Sequence, residues 1–429
     1  PELTHRSTTE GTHRYTPLMT PIDLLIKPHS ILQSALPAEG GPANVSTLSG
    51  MGLAIRERHI VAIDTPANLS AQYQPSETLD LPSHLLMPGL INAHGHALGI
   101  VSRGSTATAD VLAAPLALGA DSNTRVFSDD ELFAAAQLAF TEMMLAGTTT
   151  CADLSPFSEL VAKAAEAVGI HAQISVPVTD EANAWTGSAQ EGLERALALH
   201  DTYARHPRIG IALGLPSLAQ VDGDTLAKAA MYAEELGLAV QVLLHQSPAH
   251  VLATETRHGC SGVELLETVG LLGPNLQAVH LNALDDSDVE LLRRYRVGLV
   301  RCHHPFEHQM RNWTWMSREQ PVALGSGGYG LNYYADSFQS IAAHGVSGLY
   351  HATRGAAQVM GLEENIGTLA AGKLADVIAL DLRVLDTRIH VDAISVDIPQ
   401  LLTLGRANQA VTDVWVAGSR RVSSRQLVD

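Results

Sequence analysis

Eight short apolar runs, each separated from the next by an Ala/Leu/Glu-rich stretch, constrain this chain more than any other feature. They are LLMPGLINAH (85–94), TTTCADL (148–154), HAQISVPV (171–178), IGIALGL (209–215), LAVQVLLH (238–245), LQAVHLNAL (276–284), VGLVRC (297–302) and PVALGSG (321–327). Continuous apolar runs of this length read as strands buried on both faces, which is the condition of a parallel sheet. The intervening segments, such as DDELFAAAQLAFTEMMLAG and DTLAKAAMYAEELG, carry apolar residues at helical spacing and end on Gly, the common residue just past a helix. Eight strand and helix repeats predict closure into an α/β (β/α)8 TIM-type barrel.

The flanks of the barrel differ in character. From PIDLLIKPHSIL through GMGLAIRERHIVAIDTP the chain alternates short strands with turns, and KLADVIALDL followed by VTDVWVAGSRRVSSRQLV repeats that texture at the other end. Neither half is large enough to stand alone. The expected organisation is a flexible tail over 1–20, a small composite β-sandwich domain built from 21–84 and 373–429, and the barrel over 85–372.

Composition narrows the partners. A formal charge of −18 disfavours nucleic acid and anionic membranes, which need clustered Lys and Arg, and leaves a small-molecule substrate. The three widely spaced cysteines, Cys151, Cys260 and Cys302, offer neither a disulfide framework nor a paired-cysteine zinc knuckle, which fits a reducing cytoplasm. The opening stretch lacks the apolar core of a signal peptide, and no run reaches the ~18 apolar residues of a membrane span. A homo-oligomer, dimer or tetramer, is expected.

In a barrel of this kind the chemistry sits at the C-terminal ends of the strands. There the sequence places His94 and His96 after the first strand, His245-Gln246 after the fifth, His280 on the sixth, Cys302-His303-His304 after the seventh and Gly325-Ser326-Gly327-Gly328 after the eighth. His94 and His96 are two apart on a strand and so share a face, and neutral imidazole suits zinc, iron, copper or nickel. The candidate metal ligands are His94, His96, His245 and His280, and the candidate catalytic residues are His280, Gln246, His303 and His304. A thiolate at Cys302 beside two imidazoles would favour a softer metal such as copper, although a buried cysteine more commonly fills core space. Tyr329, Tyr333 and Trp313, with Tyr334 and Trp315, could stack on a planar substrate.

These motifs carry a resemblance. LLMPGLINAHGH, then MMLAGTTTCADL, LLETVGLLGPNLQAVHLNALDDSDVELL and the closing GKLADVI resemble the amidohydrolase superfamily over nearly the whole chain, in the branch of the S-adenosylhomocysteine and methylthioadenosine deaminases with the triazine chlorohydrolases and guanine deaminase as relatives. The resemblance implies one divalent metal ion, zinc first with copper or iron as alternatives, and a nitrogen-heterocyclic substrate. His94, His96 and His280 fall on the family's histidines. Leu243 falls where the strand-five metal ligand is expected, Gln246 where a proton-shuttling Glu is expected, and Gly327 where the strand-eight Asp is expected; Pro216 and Ala283 replace further histidines. His245 shares the strand parity of residue 243 and could reach the metal in its stead. Glu307 and Asp153 are spare carboxyls for proton transfer. Three readings stay open: a hydrolase with a histidine-rich, non-standard site, a repurposed copper or iron redox enzyme, and a non-catalytic homologue acting as a binding or partner subunit.

Overall fold

The computed structural model describes residues 19–35, 44–102, 127–302, 320–327, 337–385, 397–403 and 406–428. In chain order its strands are β1 (Thr20–Ala35), β2 (Asn44–Ser49), β3 (Gly52–Arg56), β4 (His59–Asp64) and β5 (Tyr73–Pro88). There follow β6 (Leu90–Gly95), β7 (Thr148–Asp153), β8 (His171–Pro177), β9 (Ile209–Leu215), β10 (Ala239–Leu244), β11 (Leu276–His280), β12 (Gly298–Cys302) and β13 (Val322–Gly325). The last are β14 (Val377–Asp381), β15 (Val411–Val416), β16 (Ser419–Ser423) and β17 (Gln426–Leu427). Strands β6 to β13 lie side by side in sequence order, each hydrogen-bonded pair parallel. This is the eight-stranded barrel that the alternation predicts, wrapped by helices.

The helix boundaries follow local capping chemistry. Ser128 and Glu131 form a reciprocal capping box at the start of Asp129–Leu145, and Asp222 caps Gly223–Leu236, which stops at Gly237 in the left-handed conformation. The helices' apolar faces and the outward faces of the barrel strands share one large core.

The remaining strands form one nine-stranded mixed sheet, in the order β17-β16-β15-β14-β5-β1-β3-β4 with β2 on β1. Its two sequence halves meet where β5 pairs antiparallel with β14, for example Met87 opposite Ile378, while β5 runs parallel to β1 on its other side. Ile26, Leu53, Ile55, Leu86, Val377 and Trp415 fill the core beneath it. The closing hairpin β15–β16 turns through Ala417-Gly418, both at positive φ, as a tight two-residue turn requires.

Two of the apolar runs end elsewhere than their composition suggests. The run 85–94 is divided at Gly89: residues up to Pro88 belong to the composite sheet and the barrel begins at Leu90. A Cβ at position 89 would lie 2.1 Å from Thr149 Oγ1, so only glycine lets the chain cross from one sheet to the other at this point. The run 276–284 leaves its strand at His280, where His280 and Leu281 adopt φ of 77° and 63°.

Between β13 and β6 the barrel is closed by side chains and turns. Asn92 Oδ1 accepts from Ser326 N at 2.9 Å, Asn92 Nδ2 donates to Ser326 Oγ at 2.9 Å, and Gly327 N donates to His94 O at 3.1 Å. The expected tail 1–20 lies almost wholly outside the described residues. Among the described residues no helix is long and apolar enough to cross a membrane.

Candidate metal centre

Three histidines meet inside the C-terminal mouth of the barrel. The His94 ring lies 4.7 Å from that of His96 and 5.8 Å from that of His280, centroid to centroid, both edge-on. All three side chains are buried. Burial, reinforced by its imidazole neighbours, holds His94 well below the usual histidine range, and burial brings His96 down to about 4 against the pull of its bond to Leu154. His94 and His96 are therefore neutral at pH 7, the form in which imidazole binds a metal.

Their tautomers follow from the hydrogen bonds. His94 Nδ1 donates to Gln241 Oε1 at 2.8 Å, and the Gln241 amide is held in that orientation because its Nε2 donates to Ala93 O at 3.0 Å and to Gln277 Oε1 at 3.1 Å. Gln277 in turn exchanges hydrogen bonds with Gln173 across the barrel. His96 Nδ1 donates to the Leu154 carbonyl. Each ring therefore presents its Nε2 lone pair away from its anchor, and His94 Nε2 is buried with no hydrogen-bond partner. A neutral imidazole fixed at one nitrogen and bare at the other is the arrangement of a metal-ligating histidine.

Strand alternation explains which residues face inward, and where it fails. On β11, Leu276 and Ala278 pack outward against the helices while Gln277 and Val279 face the barrel interior. Regular alternation would send residue 280 outward. A φ of 77° at His280 swings its Cβ about the N–Cα bond and turns the ring in, toward His94.

The reverse happens on β10. Gln241 and Leu243 face the interior, and alternation would bring His245 in as well, but its φ of 48° turns it out. His245 Nε2 accepts from Gly262 N at 3.2 Å, and its Nδ1 lies 3.3 Å from Asp288 Oδ2. The expectation of His245 as a metal ligand is thus corrected: its ring is engaged behind the strand.

Among the described residues, the ligand atoms that do converge belong to His94, His280 and Cys302, one nitrogen or sulfur from each lying within 4.8 Å of the others. Cys302 reaches inward by ordinary alternation with Val300 on β12. Gln246 is buried just past β10, where its backbone carbonyl accepts from Asn282 Nδ2 at 3.1 Å. At the end of β13, Gly325 is dictated by close approach: a Cβ there would meet the Cβ, N and O of His94 at 2.9 to 3.0 Å. His303, His304, Glu307, Trp313, Trp315, Tyr329, Tyr333 and Tyr334 lie outside the described residues.

Asp153 ends β7 beside this cluster, its Oδ2 accepting from the Ala97 N–H. Burial raises its carboxyl to about 7, against the opposing hydrogen bonds from Ala97 and Ser155. Burial and the Asp153 carboxylate push the neighbouring Cys151 thiol well above its ordinary value, so that thiol stays protonated and packs as a small apolar group. Sequence reasoning missed Gln241. Its signal was a polar residue in the middle of an apolar run, repeated by Gln277 on the adjacent strand β11 and by Gln173 on β8, two strands away.

Residues 85–420 match the model of the amidohydrolase family. The chain belongs to that family. Two relatives named 5-methylthioadenosine/S-adenosylhomocysteine deaminase, from Teredinibacter turnerae and Saccharophagus degradans, are each 31% identical to it; the first alignment covers 83% of this chain and 84% of the relative, the second 87% of each. Among solved structures, a zinc-bound adenosine deaminase from Xanthomonas campestris superposes with a TM-score of 0.83 at 24% identity, covering 96% of this chain and 95% of its own. A zinc complex of the atrazine chlorohydrolase of Arthrobacter aurescens superposes at 0.79 and 18% identity, covering 94% and 96%. At such identities the structural likeness is one of fold. It shows that this member of the amidohydrolase family keeps the barrel and the composite sheet.

Proposed function

We propose that this amidohydrolase-family chain is a metal-dependent hydrolase acting on a C–N bond of a small nitrogen heterocycle, through a histidine-rich site that lacks the carboxylates of its relatives' pattern. The observation that carries this reading is the orphaned, buried Nε2 of His94, on a ring whose ligand atom lies within 4.8 Å of those of His280 and Cys302 at the C-terminal ends of the barrel strands. A buried polar atom without a partner costs about 1–3 kcal/mol, and a divalent cation is the ligand that offsets this cost for a neutral imidazole. His94, His280 and, by its adjacent position, His96 are assigned as the residues that hold the cation. When bound, it supplies Lewis acidity toward a polarised substrate atom.

The chain's own residues prepare that site. Gln241 and the Leu154 carbonyl fix the tautomers of His94 and His96, and Gly325 and Gly327 let the β13 backbone lie against His94. Gln246 cannot take a proton, so Asp153, which exchanges its proton near neutrality, is the titrating carboxyl assigned to this rim. A planar heterocycle is the substrate class named for the relatives, and Trp313, Tyr329 and Tyr333 are proposed as its stacking surfaces.

The test is elemental analysis of protein purified without chelator, followed by release of ammonia from aminopurines, pterins and aminotriazines. About one equivalent of divalent metal is expected, lost in His94→Ala/His96→Ala. Absence of metal after reconstitution, or undiminished metal in the double variant, overturns the site. A metal-replete protein that releases no ammonia from any of these classes overturns the reaction.

A further inference from the structure

Cys302 ends β12 with its side chain turned to the barrel interior. Its sulfur is buried at the inward end of β12, and it lies within 4.8 Å of one ring nitrogen each of His94 and His280, which come from β6 and β11. Three strands thus deliver three metal-ligating atoms to one point. The independent mark of a ligand there is His94 Nε2, a buried nitrogen without a partner whose ring is locked by Gln241 to face the cluster. Among the described residues at the end of β13 there is no carboxylate: Ser326 is bound to Asn92 and Gly327 has no side chain.

We propose that Cys302 is a thiolate ligand of the metal and takes the place of the missing anionic ligand. This deepens the metal-site reading above and rests on it. The thiol proton passes to solvent as the sulfur–metal bond forms, so the thiolate supplies the one negative charge that three imidazoles cannot. Sulfur beside nitrogen makes the centre selective for zinc, cobalt(II) and copper over manganese and magnesium, which prefer oxygen ligands. The left-handed backbone at His280 acquires a purpose in this arrangement: without it the β11 imidazole would face the helices, and Cys302 would have only His94 beside it. Nitrogen and sulfur atoms at these separations reach metal–ligand distances of about 2.0–2.3 Å by small rotations of the side chains.

The experiment is titration of the metal-stripped full chain with cobalt(II), read by absorption. Expected is a thiolate-to-cobalt charge-transfer band in the near ultraviolet that saturates at one equivalent and disappears in Cys302→Ser. The same variant is expected to bind zinc more than about 100-fold more weakly, beyond the 10–100-fold that losing an outer hydrogen-bond partner costs. Stoichiometric cobalt without that band, or a band that survives in Cys302→Ser, overturns the thiolate ligand while leaving the metal site standing. Failure to bind cobalt or zinc overturns both. X-ray absorption of the zinc-loaded wild-type chain provides a reading that needs no variant: one sulfur at about 2.3 Å is expected, and a shell of nitrogen and oxygen alone refutes the proposal.

Discussion

Asp153→Asn reports directly on the electrostatics of the site. The carboxyl is fully buried beside the HxH segment, with its proton affinity raised from 3.8 to about 7 because the charged form loses its water. A carboxyl whose pKa is higher folded than unfolded binds more protons in the native state, so its contribution to stability falls as pH rises between those two values. At 1.36 kcal/mol per unit, the shift of about three units amounts to about 4 kcal/mol over the full window. About two of those units, or about 3 kcal/mol, fall between pH 5 and pH 7. Asn keeps an oxygen to accept from the Ala97 N–H and does not titrate.

The assay is urea denaturation of both proteins at pH 5 and pH 8 with chelator present, because a bound cation would favour the carboxylate and mask the effect. The variant is expected to gain about 3 kcal/mol relative to wild type on going from pH 5 to pH 8, with unchanged m-values. A stability difference that is the same at both pH values refutes the reasoning. It would mean that Asp153 is ionised throughout and that water reaches it.

His245→Ala leaves the Gly262 N–H and the Asp288 carboxylate without their imidazole, and a loss of about 1–3 kcal/mol in chemical denaturation is expected, with metal content unchanged; a drop in bound metal would return His245 to the ligand set. Gln241→Leu removes the acceptor that fixes the His94 tautomer, so zinc affinity measured by competition with a chromogenic chelator should fall about 10–100-fold while circular dichroism is retained. Unaltered affinity there would show that His94 needs no outer partner.

Much of the architecture was legible in the residues. A parallel sheet buried on both faces imposes continuous apolar runs, and the helices between them impose a different period, so eight repeats could be counted and closed into a barrel before any coordinates. The HxH pair and His280 were legible too, because position at the C-terminal end of a barrel strand carries its own meaning. The alternation rule fails at two strand ends for one reason, and of the two expectations only that for His245 rested on it. It assumes extended backbone, and His245 and His280 each sit at positive φ, so the histidine that parity sends inward faces out and the one it sends outward faces in. A strand end's φ is set by the loop and helix that receive it, here by Gly262 and Asp288 packed behind β10. The sequence by itself therefore determined the barrel, the composite sheet and the rim on which the chemistry lies. Only the tertiary structure decided which side chains share that rim's interior, because bringing Cys302, His94 and His280 within 4.8 Å depends on strands more than 180 residues apart and on a turn of backbone that no residue type announces.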